Sequence, residues 1–73
     1  MNEMKEINKF KDRIKELRKD KNLSQEELGK EINYTQSGVA KWESGEREPS
    51  INMLIKLARY FNVPIDYLVG NID

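Results

Sequence analysis

The chain has 73 residues, one small domain against the roughly 100–200 residues that a domain usually takes. Its 13 Lys and Arg balance 13 Asp and Glu, and on its own a formal charge of zero argues against a nucleic-acid or membrane partner, since both usually select a basic excess. With no Cys and no His there is no disulfide framework, no thiolate or imidazole metal site, no thiol nucleophile and no His-dependent triad.

Ile7, Phe10, Ile14 and Leu17 recur at helical spacing and line one face of a first helix, with Asn8 as its N-cap and Lys21 and Asn22 closing it. Residues 1–7 read either as an extension of that helix or as a flexible arm. Ser24 and Glu27 form an S-x-x-E capping box that opens a second helix over 25–32, where Leu28 and Ile32 are the buried i, i+4 pair. Asn33 breaks it, because Asn best replaces Gly where the backbone turns left-handed. Thr35 caps a third short helix that runs to about Glu43 with Val39 and Trp42 inward, and Ser44 and Gly45 end it.

Glu46, Arg47, Glu48 and Pro49 form a loop, since Pro lacks an amide donor and pushes its predecessor out of the α region. Ser50 caps a fourth helix carrying Leu54, Leu57, Ala58 and Phe61. After Asn62, Val63 and Pro64, a fifth short helix carries Ile65 and Leu68 and stops at Gly70, leaving 71–73 as a tail or the start of a linker. No strand-period segment and no internal repeat occurs. The expected fold is all-α: a compact bundle of five short helices in a single domain, 1–73.

Two short helices joined by a tight turn, over residues 24–44, have the spacing of a helix-turn-helix. Gly29 falls where the two helices cross closest, which calls for a bare or methyl side chain, and Asn33 falls where the turn wants positive φ. Leu28, Ile32, Tyr34, Val39 and Trp42 supply apolar contacts that fix the interhelical angle.

The segment LSQEELGKEINYTQSGVAKWESGEREPS resembles the DNA-binding domain of the Cro and phage-repressor family, also called the xenobiotic-response-element type. The likeness continues through INMLIKLARYFNVPIDYLVG and so covers roughly residues 10 to 70. It implies a lambda-repressor-like fold that binds double-stranded DNA and regulates transcription, as a repressor more than an activator. The start of the third helix then meets base edges in the major groove: Gln36 bidentate on adenine, Ser37 on either base type, Lys41 on guanine or a phosphate, Thr35 beside the groove and Ala40 against a thymine methyl. Gln25, Ser44 and Arg47 are the implied backbone contacts, and Arg18 with Glu43 the implied structural ion pair between helices 1 and 3. A homodimer on a palindromic operator is implied too, since one recognition helix reads few base pairs; Tyr60, Tyr67, Val69 and Ile72 are candidate dimer contacts. The chain departs from the family at Pro64, where many relatives have a Ser cap, and at Glu46 and Glu48, in a loop that is often basic.

Two rival classes fare worse. Catalysis without His or Cys would need Ser–Lys, Lys or paired carboxylates, but Ser37 and Lys41 lack S-x-x-K spacing and the carboxylates are scattered. A protein-interaction module of the same fold, of antitoxin or anti-repressor type, is the alternative. No cofactor, metal or membrane is expected: no run of 18 apolar residues and no signal peptide occurs, and the chain reads as cytoplasmic. The neutrality is also uneven. Residues 1–22 hold eight basic and five acidic side chains, residues 23–34 one and three, residues 35–48 two and three, and residues 49–73 two of each. The helix-turn-helix is therefore not basic, so sequence-independent DNA binding should be poor and local donors should decide the bound state.

Overall fold

Five helices follow one another with short connections in the computed structural model: α1 (Phe10–Asp20), α2 (Gln25–Glu31), α3 (Gln36–Ser44), α4 (Ile51–Phe61) and α5 (Ile65–Val69). Residues 8–73 are described; Ile7, and the choice between extension and arm for 1–7, lie outside the described residues. There is no strand among them, and no helix among them is long and apolar enough to cross a membrane.

Local chemistry accounts for most boundaries. The side chains of Ser24, Thr35 and Ser50 accept from the amides of Glu27, Gly38 and Met53, and Glu27 returns a bond to the Ser24 amide, completing the capping box. Every helix ends at or beside a left-handed residue: Asn22, Asn33 and Asn62 at φ 59°, 60° and 57°, Gly45 and Gly70 at 84° and 86°. Asn tolerates this region because its short polar side chain can bond locally. Pro64 leaves α5 without a side-chain cap.

Each helix contributes to one core. Phe10 and Ile14 from α1 meet Leu28 and Ile32 at α2, Val39 and Trp42 from α3, Leu57, Ala58 and Phe61 from α4, and Leu68 from α5. Trp42, 1% exposed, is the largest side chain in it, and Phe10 meets its ring edge-on at 5.9 Å. Burial of each large apolar side chain contributes about 1.5–3 kcal/mol, so the core holds α3 in place as well as stabilising the domain. Burial also removes the Trp42 ring from any role in stacking on a base.

Two expectations change. The α1 N-cap residue is Lys9, not Asn8; Asn8 stands one position earlier, where its Oδ1 still accepts from the Phe10 amide at 2.9 Å. Ile65 is exposed, so Leu68 alone anchors α5 in the buried core. Of the four candidate dimer residues, some of which must be core, Tyr60, Tyr67 and Val69 are half-buried and Ile72 is exposed. Tyr67 lies under Arg13, whose guanidinium sits 4.2 Å from its ring centroid and donates to the carbonyls of Tyr67 (2.9 Å) and Ile72 (3.1 Å). The tail is thus tied back onto α1.

Candidate nucleic-acid interface

The turn between α2 and α3 is built around two glycines. A Cβ on Gly29 would come within 2.8 Å of the Tyr34 carbonyl oxygen, so the site is tighter than expected and even a methyl group requires the turn to shift. The Tyr34 amide donates to the Gly29 carbonyl at 2.7 Å, closing the turn. A Cβ on Gly38 would fall 2.2 Å from the Tyr34 ring. That ring stacks on Trp42 at 4.6 Å with 7° between planes, so it lies flat over the first turns of α3 and only glycine fits beneath it.

On this frame a chain of polar side chains runs from α1 to the start of α3. Arg18 donates from Nε and Nη2 to the two Glu43 oxygens at 2.7 and 2.9 Å, and from Nη1 to the Leu23 carbonyl at 2.8 Å. Gln25 Nε2 donates to Glu43 Oε1 at 3.1 Å, and Gln36 Nε2 donates to Gln25 Oε1 at 2.7 Å. The polarity of the chain follows from one constraint. A carboxylate only accepts, so Gln25 must turn its amide nitrogen to Glu43, which turns its oxygen to Gln36 and obliges Gln36 to donate. Gln36 is left with its Oε1 and one N–H unused, the pair that matches adenine N6 and N7. Gln25 keeps one N–H, and it stands at the first position of α2, where helix-end amides and the helix dipole favour an anion.

Glu43 is buried, its side chain 3% exposed. Burial pushes its carboxyl up, but hydrogen bonds from Arg18 and then Gln25 outweigh burial and hold it below the ordinary carboxylate value. The same pairing raises Arg18. The charge that anchors the chain is therefore fixed at neutral pH.

The other sequence-derived residues are distributed unevenly. Thr35, Gln36 and Ser37 are exposed together at the α3 N-terminus, with Ala40 and Lys41 half-buried farther along. Thr35 Oγ1 is occupied as an acceptor by the Gly38 amide. Ser44 and Arg47 are exposed at the far end, but the Ser44 hydroxyl already donates to the Lys41 carbonyl and accepts from the Glu46 amide. The amides of Gly45, Glu46 and Arg47 also turn back to the last carbonyls of α3, so the loop offers side chains more than backbone donors. Reading by spacing missed Gly38, Arg13 and the bond between Asn8 and Glu48. Gly38 carried a signal, a glycine inside a helix four residues from both Tyr34 and Trp42, whereas the other two depend on long-range packing. Among the described residues no cluster of three potential metal ligands occurs.

A right-sized turn, an exposed α3 N-terminus and a side-chain chain that fixes its first residue define a helix-turn-helix domain, and the chain belongs to the helix-turn-helix family of the Cro and phage-repressor type: the family model described as "Helix-turn-helix" matches residues 14–68. Similar proteins include the HTH-type transcriptional activator BcrR of Enterococcus faecalis, 34% identical over 84% of this chain and 30% of its own length. The cryptic phage CTXphi transcriptional repressor RstR of Vibrio cholerae is 32% identical over 85% of this chain and 56% of its own. Among solved structures, the P22 c2 repressor in complex with a synthetic operator superposes with TM-score 0.80 at 28% identity, covering 86% of this chain and 96% of that one. The restriction-modification controller protein C.AhdI of Aeromonas hydrophila gives 0.74 at 35% identity, covering 86% and 91%. Against several longer relatives, this chain spans about a third to just over half of their length.

Proposed function

We propose that this chain is the sequence-specific, double-stranded-DNA-binding part of a transcriptional regulator, acting as a repressor, with α3 in the major groove. The observation that carries the reading is the bond from Gln36 to Gln25, which orients an exposed amide at the start of α3 while leaving free the donor and acceptor that adenine needs. Ser37 and Lys41, with Thr35 and Ala40, line the same reading surface; Gln25 and Arg47 flank it as phosphate contacts that set register, while Ser44, its hydroxyl proton held by the Lys41 carbonyl, braces the end of α3. Two copies bind a palindromic operator as a homodimer, with half-sites about 34–36 Å apart. The repressor assignment is supported by the names of relatives such as RstR and the P22 protein, although BcrR is named an activator. In this reading the chain works without catalysis and in the cytoplasm.

The non-basic helix-turn-helix favours one second reading, a protein-interaction module of antitoxin or anti-repressor type. Selection from a random duplex library at fixed salt, followed by a salt titration of the enriched duplex, separates the two. A DNA reader enriches one sequence and loses affinity with a log–log slope of about −0.9 per phosphate contact. An interaction module enriches nothing.

A further inference from the structure

We propose that Asn8 and Glu48 form a clasp that positions the loop over residues 45–49, and Arg47 with it, on the DNA backbone; the inference rests on the DNA-binding reading above. Asn8 does two things at once. Its Oδ1 accepts from the Phe10 amide at 2.9 Å, which fixes the side chain at the start of α1, and its Nδ2 donates to Glu48 Oε2 at 3.0 Å. The neighbouring Lys9 amide donates to the Val69 carbonyl at 3.0 Å, so residues 8 and 9 join the start of α1 to the end of α5 and to the loop that leaves α3.

At the end of that loop Pro49 is half-buried and Ser50 caps α4, so Glu48 is the last residue of the exposed run before the chain is fixed again. Residues 44–48 are all exposed, and a cavity of about 40 Å³, lined by Asn8, Phe10, Lys11, Trp42, Gly45, Arg47 and Glu48, lies between the loop and the start of α1, so Arg47 borders it beside both partners of the clasp. The inner half of the loop is fixed by the amides of Gly45, Glu46 and Arg47 returning to α3, but Arg47 needs a second anchor beyond it to hold a direction. Glu48 is that anchor. The clasp also engages one oxygen of the carboxylate next to Arg47; the charge remains, but its position is fixed. Asn8 is a positioning residue, acting through Glu48 on Arg47.

The two jobs of Asn8 can be separated. Asn8→Asp keeps the acceptor for the Phe10 amide but sets one carboxylate against another at Glu48, whereas Glu48→Gln alone keeps an oxygen that Asn8 can reach. Binding of the duplex selected by the wild type is measured for wild type, Asn8→Asp, Glu48→Gln and the double variant, each with and without Arg47→Ala, alongside Tm. Asn8→Asp is expected to weaken binding about threefold to tenfold, the scale of one ordinary net hydrogen bond, with little change in Tm. Glu48→Gln restores it, since a glutamine amide can donate to the new carboxylate, and in the Arg47→Ala background the Asn8→Asp loss disappears. Equal losses with and without Arg47, or no rescue by Glu48→Gln, overturn the clasp while leaving the DNA-binding reading intact. A wild type that enriches no duplex overturns both.

Discussion

Gln36 Nε2 stands 2.7 Å from Gln25 Oε1, and this contact joins the first residue of α2 to the first residue of α3. Gln25 is itself held by Glu43, so the direction of an exposed amide at the start of α3 is set by a carboxylate buried at the other end of the same helix. Replacing Gln25 by Ala should therefore do more than remove a phosphate donor. Affinity for the selected duplex should fall roughly tenfold, and discrimination at the base read by Gln36 should loosen, up to the ~1–3 kcal/mol that a bidentate pair supplies. Titrations with that duplex and its single-base variants check both effects.

Arg18 and Glu43 offer a stability test. Arg18→Ala strands a carboxylate with a nearly fully buried side chain, and removing one partner of a buried pair costs about 3–5 kcal/mol. That is a large part of the ~5–15 kcal/mol that a domain typically has. Denaturant unfolding at neutral pH should show the loss.

The same pair makes stability depend on pH. Glu43 is lowered in the folded state from its ordinary value of 4.5, so unfolding raises its proton affinity. Its contribution is fully present above 4.5 and is lost as pH falls through the depressed folded value. Unfolding curves from pH 7 down to pH 3 should show this loss, and Glu43→Gln, already weaker at pH 7, should lack that part of the acid dependence.

The two turn glycines should respond differently to a second mutation. Gly38→Ala and Gly29→Ala should each cost about 1–3 kcal/mol, the usual range for overpacking. At Gly38 the obstacle is the Tyr34 ring, whereas at Gly29 it is the Tyr34 carbonyl. In a Tyr34→Ala background the Gly38→Ala cost should largely vanish and the Gly29→Ala cost should persist, as read by a thermodynamic cycle.

Arg13 ties α5 and the tail to α1. Arg13→Ala removes donors to the Tyr67 and Ile72 carbonyls and the cation over the Tyr67 ring, and should cost about 1.5–3 kcal/mol, the range for hydrogen bonds to a charged group. Hydrogen exchange should locate the effect in α5 and residues 70–73, with the α2 and α3 amides unchanged.

The five helices were legible because their signals are local: capping residues at Ser24, Thr35 and Ser50, Asn or Gly at each stop, and apolar periods between. The exposed polar cluster at the start of α3 followed from the place of Gln36 and Ser37 after the Thr35 cap. What sequence spacing left out was decided by partners far along the chain. Asn8 reads as a cap because its type suits one, yet its donor goes to Glu48, 40 residues away. Ile65 has the right type for the core but faces outward, since a five-residue helix buries only one position in its turn and Leu68 occupies it. Ser44 has the chemistry of a phosphate donor, but its hydroxyl bonds the Lys41 carbonyl in the last turn of its own helix, a choice that sequence spacing does not reveal.

The central claim is that α3 reads base edges through Gln36. The direct measurement is selection from a random duplex library at fixed salt with wild type, Gln36→Ala and Lys41→Ala in parallel. Wild type should enrich one palindromic sequence, Gln36→Ala should lose an adenine preference at one position per half-site, and Lys41→Ala should change a different position or weaken binding uniformly. An unchanged preferred sequence in both variants would contradict the claim.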